Sequence, residues 1–368
     1  MNSRTRAAAA LLLLGVPLVS GWLAGFPPGF AELPPETIHI DPPAFSAPVY
    51  LAFTLMLLVA SVFLAMPRWF RFRGRGASDF DAFEWAFVVY QGRSFPAWGW
   101  LGLGLIALSW PTAWTHPGWL GPVADHTFFP LWLGYILTVD ALVFRRAGAS
   151  PLSRNFTRWL ALFPASAATW WYFELLNRFI QNWLYLGAEH FSSLRYVLGA
   201  TLAFSTVIPA VLTTAALLGT FDWFRTRFVR DEAMGPPRGV WAWLAAAGVL
   251  GLASMPWFPV PLFALTWLAP WLVLVGLMER AGAHTGVGHM LRGDWGPVLT
   301  LAVAALVCGF FWELWNVYAM PKWVYQVPWL DGFKVFEMPL PGYLGYLPFG
   351  PACWAFWLLL SPAQPSNR

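Results

Sequence analysis

The chain is 368 residues long, with 58% hydrophobic and only 11% charged residues. Ordinary soluble domains are about a quarter charged, so this composition, with a mean hydropathy of +0.55, excludes a soluble globular enzyme and intrinsic disorder. The formal net charge of +4 is no nucleic-acid signature, because the basic residues gather at the ends of apolar runs. The sequence is that of an all-α, polytopic membrane protein whose partners are membrane lipids, with no nucleic acid expected.

Runs long enough to cross about 30 Å of hydrocarbon predict ten spans, near 7–25, 47–66, 97–115, 127–144, 157–177, 195–220, 239–257, 259–278, 297–315 and 339–360. The first follows Arg4 and Arg6 and has the outline of a signal peptide. No A-x-A site follows it, so it reads as an uncleaved helix. Residues 1–66 are then two N-terminal helices joined by a Pro-rich outer loop. Residues 67–96 form a basic cytoplasmic loop, and 361–368 a cytoplasmic tail.

Placing the N-terminus inside assigns 18 of the 22 basic residues to inner segments. Only Arg178, Arg195, Lys322 and Lys334 remain outside. By the positive-inside rule both termini are cytoplasmic, as in a bacterial inner membrane. The 26 Trp and 31 Phe fit interfacial belts, since indole joins an apolar body to an N–H that seeks a partner. An aromatic-lined site for a lipid-like ligand is the alternative. Cys308 and Cys353 fall at different depths of adjacent spans and are expected as two thiols.

The chain repeats once, with a period of about 140 residues. Phe173-Glu174-Leu175-Leu176-Asn177 matches Trp312-Glu313-Leu314-Trp315-Asn316. Asn182-Trp183-Leu184-Tyr185 matches Lys322-Trp323-Val324-Tyr325, and Pro209 matches Pro348. The expected units are two parallel four-helix repeats, 97–220 and 239–360, with 221–238 as cytoplasmic linker around Gly235-Pro236-Pro237. An even number of spans gives both the same orientation, related by an axis along the membrane normal, with a ligand site between them.

Ionisable groups inside hydrocarbon are costly and are functional candidates by default. Three qualify: Asp140, Glu174 and Glu313. The helical rise puts the two glutamates roughly 24–25 Å from the cytoplasmic start of their spans, near the outer boundary. Asn177 and Asn316 follow at i+3, on the same helix face, where each is expected to donate to its carboxylate or to share a polar head with it. Such pairs also serve simply to hold helices together. Asp140, near Arg145 and Arg146, reads as a structural ion pair without a counterpart in the second unit, where Leu274 stands.

The outer segments after these helices carry Gln181, Asn182, Glu189 and His190, then Lys322, Tyr325, Lys334, Glu337 and Tyr343. An outward-facing pocket is expected from Glu174 and Glu313 as catalytic acid and base. Asn177, Asn316, Lys322, Tyr325, Lys334, Glu337, His190, Trp183 and Trp323 would bind substrate, with Trp329 completing a roof. His39, His116, His126 and His190 lie outside, but no H-E-x-x-H, C-x-x-C or repeated E-x-x-H spacing occurs, so no metal is assigned. The run His284 to His289 reads as a Gly-containing turn, and Ser205-Thr206 as hydroxyls that satisfy backbone around a proline kink. No dinucleotide, phosphate-loop or nucleophile-elbow motif names a cofactor.

Trp323-x-Tyr325, Gly332, Phe336, Pro339-Leu340 and Tyr343 through Phe349 together resemble the small membrane lycopene-cyclase domain, over about 30 residues of the second unit. That family also uses repeated few-helix units with a W-x-Y turn before a P-L-E-E-type helix entry. Its acidic pair is replaced here by Pro341-Gly342, and Glu337 lies before the proline. The resemblance implies a substrate class, an isoprenoid or other lipid. The sequence-level reading is therefore a membrane-embedded enzyme acting on a lipid or polyisoprenoid. The alternatives are a multi-pass transporter or flippase, for which Pro209 and Pro348 would be paired kinks, and a membrane scaffold or assembly factor.

Overall fold

The computed structural model describes residues 1–35, 42–70, 72, 93–230 and 235–361. His39 and four of the basic residues assigned to the inner side, Arg71, Arg73, Arg75 and Arg368, lie outside the described residues. The protein is mostly helical. Helix makes up most of every segment expected to span: α1 (Ser3–Ala24), α2 (Ala47–Ala65), α3 (Ala97–Thr115) and α4 (Phe128–Ala147) come first. The short α5 (Pro151–Arg154) leads into α6 (Phe156–Ile180), which is followed by α7 (Ser193–Phe204), α8 (Val207–Leu218) and the short α9 (Asp222–Thr226). The remainder are α10 (Val240–Ser254), α11 (Leu265–Arg280), the short α12 (Val287–Leu291), α13 (Gly296–Asn316) and α14 (Tyr346–Leu360).

Among the described residues, six helical segments are long and apolar enough to cross a membrane: α1, α2, α4, α7 with α8, α13, and Leu340–Leu360, which includes α14. The other four expected spans fall short of that. α10 and α11 have 15 and 16 residues, roughly 22–24 Å at helical rise. α3 is diluted by Trp, Gly and Pro, and α6 by Arg158, Arg178, Glu174 and Asn177.

α8 and α14 are the centre of the bundle. α8 packs on α4, α6, α13 and α14, while α14 packs on α11, α13, α6 and α8. The run Val207–Ala216 is buried throughout, and so is Phe349–Trp357. Two tight hairpins, α3–α4 and α10–α11, flank them. Each closes through a glycine: a Cβ on Gly102 would lie 2.6 Å from the Gly134 carbonyl, and one on Gly248 would lie 2.6 Å from the Ala269 carbonyl. Small residues are what let helix backbones approach so closely where lipid gives no hydrophobic drive. α1 packs on α10, α11 and α6, whereas no residue of α2 is buried. Cys308 and Cys353 are buried free thiols.

The break between α7 and α8 falls in mid-span. Ser205 and Thr206 return their hydroxyls to the Leu202 and Ala203 carbonyls, as expected. Ser166 of α6 bridges the break as well, donating to the Phe204 carbonyl and accepting from the Ile208 N–H.

Two expectations away from the glutamates need correction. Asp140 does not pair with Arg145 or Arg146. It accepts from Trp98 Nε1 (3.1 Å), Ser150 Oγ (2.7 Å) and the Leu152 N–H (3.0 Å), and so caps α5. Arg146 instead bonds Thr220 and lies over the Phe221 ring. A second carboxylate, Glu279, acts in the same way, accepting from Thr285 Oγ1 (2.6 Å) and from the Thr285 and Gly288 N–H groups at the start of α12. The His284–His289 run is therefore not a bare turn but the entry to a capped helix. Anionic side chains at helix N-termini satisfy donors that the helix itself cannot.

Candidate functional site

Asn155 caps the start of α6 through the Arg158 N–H. At the other end the helix closes on Gln181, whose φ of 54° lies in the left-handed region. Glycine or asparagine is usual there. The chain then turns into strand β1 (Trp183–Leu186), which pairs antiparallel with β2 (Lys322–Tyr325) beyond α13. Trp183 stands opposite Tyr325, and Tyr185 opposite Trp323. Residues two apart share a strand face, so all four aromatic side chains line one face of the ribbon. That face meets the two glutamates.

Glu174 is buried, at 3% exposure. Its Oε1 accepts three bonds, from Tyr185 Oη (2.6 Å), Trp183 Nε1 (2.9 Å) and Trp170 Nε1 (3.1 Å). Glu313 is fully buried, and its Oε1 accepts from Tyr325 Oη (2.6 Å) and Tyr346 Oη (2.8 Å). Trp323 Nε1 donates to Tyr325 Oη (2.9 Å), while Glu313 Oε2 is buried without a hydrogen-bond partner among the described residues. Burial, and after it the adjacent carboxylate, raises Tyr185 and Tyr325 well above the usual phenol range. Both therefore keep their protons and act as donors.

The two asparagines do not donate to their carboxylates, contrary to expectation. Asn177 Nδ2 donates to the Trp183 carbonyl (2.8 Å), and Asn316 Nδ2 to the Trp323 carbonyl (2.7 Å). The Trp183 and Trp323 N–H groups return to the asparagine oxygens. Each amide thus ties the first Trp of a strand back to the helix that carries the glutamate. The carboxylate is held by the strand, and the strand by the amide.

The open space lies on the Glu174 side. A cavity of about 120 Å³ is bordered by Glu174, Asn177, Arg178, Gln181, Glu189 and the Trp183–Leu186 strand, and Pro28, Phe30 and Pro35 of the Pro-rich loop cover it. Arg178 Nη2 donates to the Glu32 carbonyl (2.8 Å), which fastens that loop over the site.

The remaining expected binding residues do not converge on this cavity. Lys322 Nζ is paired with Glu337 (2.5 Å), and the exposed Lys334 with Asp331 (2.8 Å). His190 is exposed and packs edge-on against Phe191. The tryptophans form no common roof: Trp183 borders the cavity and stacks on Trp267, but Trp323 meets Phe128, and Trp329 packs on Phe263. Among the described residues, no three His, Cys, Asp or Glu side chains group as metal ligands would.

Sequence reasoning misses Trp170, Arg178, Tyr346, the phenol of Tyr185 as a ligand, and the Pro-rich cover. The signal for Tyr185 is present, because its W-x-Y is the counterpart of the one at Tyr325. Trp170 stands at i−4 from Glu174, which is one helical turn. No family model, curated protein or solved structure matches the chain.

Proposed function

We propose that this protein is a multi-pass membrane enzyme acting on a lipid or polyisoprenoid at the outer face, with Glu174 as its working carboxylate. The observation that carries this reading is the cavity beside Glu174, where a buried carboxylate held on one oxygen by three N–H and O–H donors borders open space. A carboxylate fixed in that way is preorganised to take a proton from, or to hold, a polar group entering the cavity. Glu313, sealed beneath Tyr325 and Tyr346, is the structural member of the pair. An isoprenoid substrate is the class implied by the lycopene-cyclase resemblance.

In this reading the chain has ten spans, with both termini cytoplasmic in a bacterial inner membrane, and 97–220 and 239–360 are two repeats about an axis along the membrane normal. The reciprocal packing of α8 and α14 supports the repeat, as does the β1–β2 register, which sets each W-x-Y against the other reversed. The capped helices α5 and α12 support it further.

Lipid profiling by mass spectrometry of cells with and without the gene tests the function. A lipid species that depends on the gene and on Glu174 is expected, and an unchanged profile contradicts the proposal. Transport is the second reading, favoured by the mid-span interruption at Ser205-Thr206, since solute carriers build sites from discontinuous helices. An unchanged lipid profile with gene-dependent uptake or efflux would establish it.

A further inference from the structure

The charges around the Glu174 cavity are mixed. Two carboxylates, Glu174 and Glu189, and one guanidinium, Arg178, border the same space. A simple anion would meet two negative groups, and a simple cation would meet Arg178. A ligand carrying both charges matches the set. Arginine's planar fork suits phosphate oxygens. A guanidinium has five donor hydrogens, and Arg178 has one of its nitrogens on the Glu32 carbonyl.

A primary ammonium bonds carboxylates directly, whereas a quaternary ammonium is recognised by aromatic faces. Here Trp170, Trp183 and Tyr185 turn their N–H and O–H groups toward Glu174, and the Trp183 ring is stacked on Trp267 at 5.5 Å. The size fits a head group alone. About 120 Å³ is the space of roughly four waters at about 30 Å³ each. An acyl chain would have to lie outside, along the exposed Leu186.

Resting on the lipid reading above, we propose that this cavity binds an ethanolamine phosphate head, with the ammonium between Glu174 and Glu189 and the phosphate on Arg178. Equilibrium binding to the purified full-length protein in detergent, read by native mass spectrometry, tests it. The probes are dihexanoyl phosphatidylethanolamine, phosphatidylcholine and phosphatidylglycerol, with free O-phosphoethanolamine as competitor. The ethanolamine lipid is expected to bind about tenfold more tightly than the other two, and Glu189→Gln to remove most of that preference while melting is unchanged.

Competition by free O-phosphoethanolamine would identify the head as sufficient. Selectivity without competition would identify the membrane lipid as the ligand. Equal binding of the three lipids, or a preference untouched by Glu189→Gln, would overturn the proposal. A gene-dependent change confined to other lipids would overturn the ethanolamine assignment and keep the enzyme reading, whereas an unchanged lipid profile would remove that reading itself.

Discussion

Glu174 and Glu313 share an E-x-x-N frame and a W-x-Y strand, yet their surroundings differ most at one helical position. One turn before Glu174 stands Trp170, which donates to it. One turn before Glu313 stands Gly309, where a Cβ would lie 2.5 Å from the Tyr346 ring. The glycine makes room for Tyr346, which supplies the missing donor. The same requirement, donors for a buried carboxylate oxygen, is met by different residues in the two places. The consequence is spatial, because Glu313 is closed in by its second tyrosine while Glu174 keeps a cavity at its side.

The largest effect that would break this comparison is expected from Glu313→Ala. It strands two phenol donors and opens a void in a fully buried site, for an expected loss of about 3–5 kcal/mol. Thermal unfolding in detergent and membrane-inserted yield should both fall, and a variant as stable as wild type would refute the structural role. Gly309→Ala comes next. Its Cβ must displace Tyr346, at about 1–3 kcal/mol, whereas loss of the Trp170 side chain in Trp170→Phe removes a single donor and should cost less. A reversed order would show that the two positions are not equivalent solutions.

Asn177→Ala and Asn316→Ala each remove the paired bonds to a strand backbone, at about 1–2 kcal/mol apiece. Faster amide hydrogen exchange in 183–186 and 322–325 is the expected readout, and unchanged protection would show that the amides do not hold the ribbon. Gln181→Gly has the smallest expected effect on stability. It relieves a left-handed non-glycine residue, so melting should hold or rise while head-group binding weakens. A rise in both would mean that the Gln181 side chain contributes nothing to the cavity.

The sequence makes the helices and the paired glutamates legible, because apolar length and costly buried charge are both local signals. The partners of those charges are legible only in part. Helical spacing puts Asn177 on the Glu174 face, but the competing demand of the Trp183 backbone, six residues on, is stronger and is not visible in an i+3 pattern. The capping of α12 is hidden for a similar reason. Glu279 performs the capping from the last turn of α11, next to Arg280, where a charge reads as ordinary boundary polarity. Lys322 looks like an anion ligand until the fold brings Glu337 to it, whereas the pairing of Lys334 with Asp331 is local, three residues apart, and is open to a sequence reading. The cover from the Pro-rich loop joins residues more than a hundred positions apart, and no local pattern encodes that contact.

The division of labour between the two carboxylates is tested most directly by lipid profiling of cells carrying Glu174→Gln or Glu313→Gln at matched membrane levels. An amide keeps an oxygen for the tyrosine and tryptophan donors at either site, so both variants should fold and differ only in the lost charge. The account predicts that Glu174→Gln gives the profile of cells lacking the gene while Glu313→Gln gives that of wild type. The opposite pattern, or a wild-type profile from both, would contradict it.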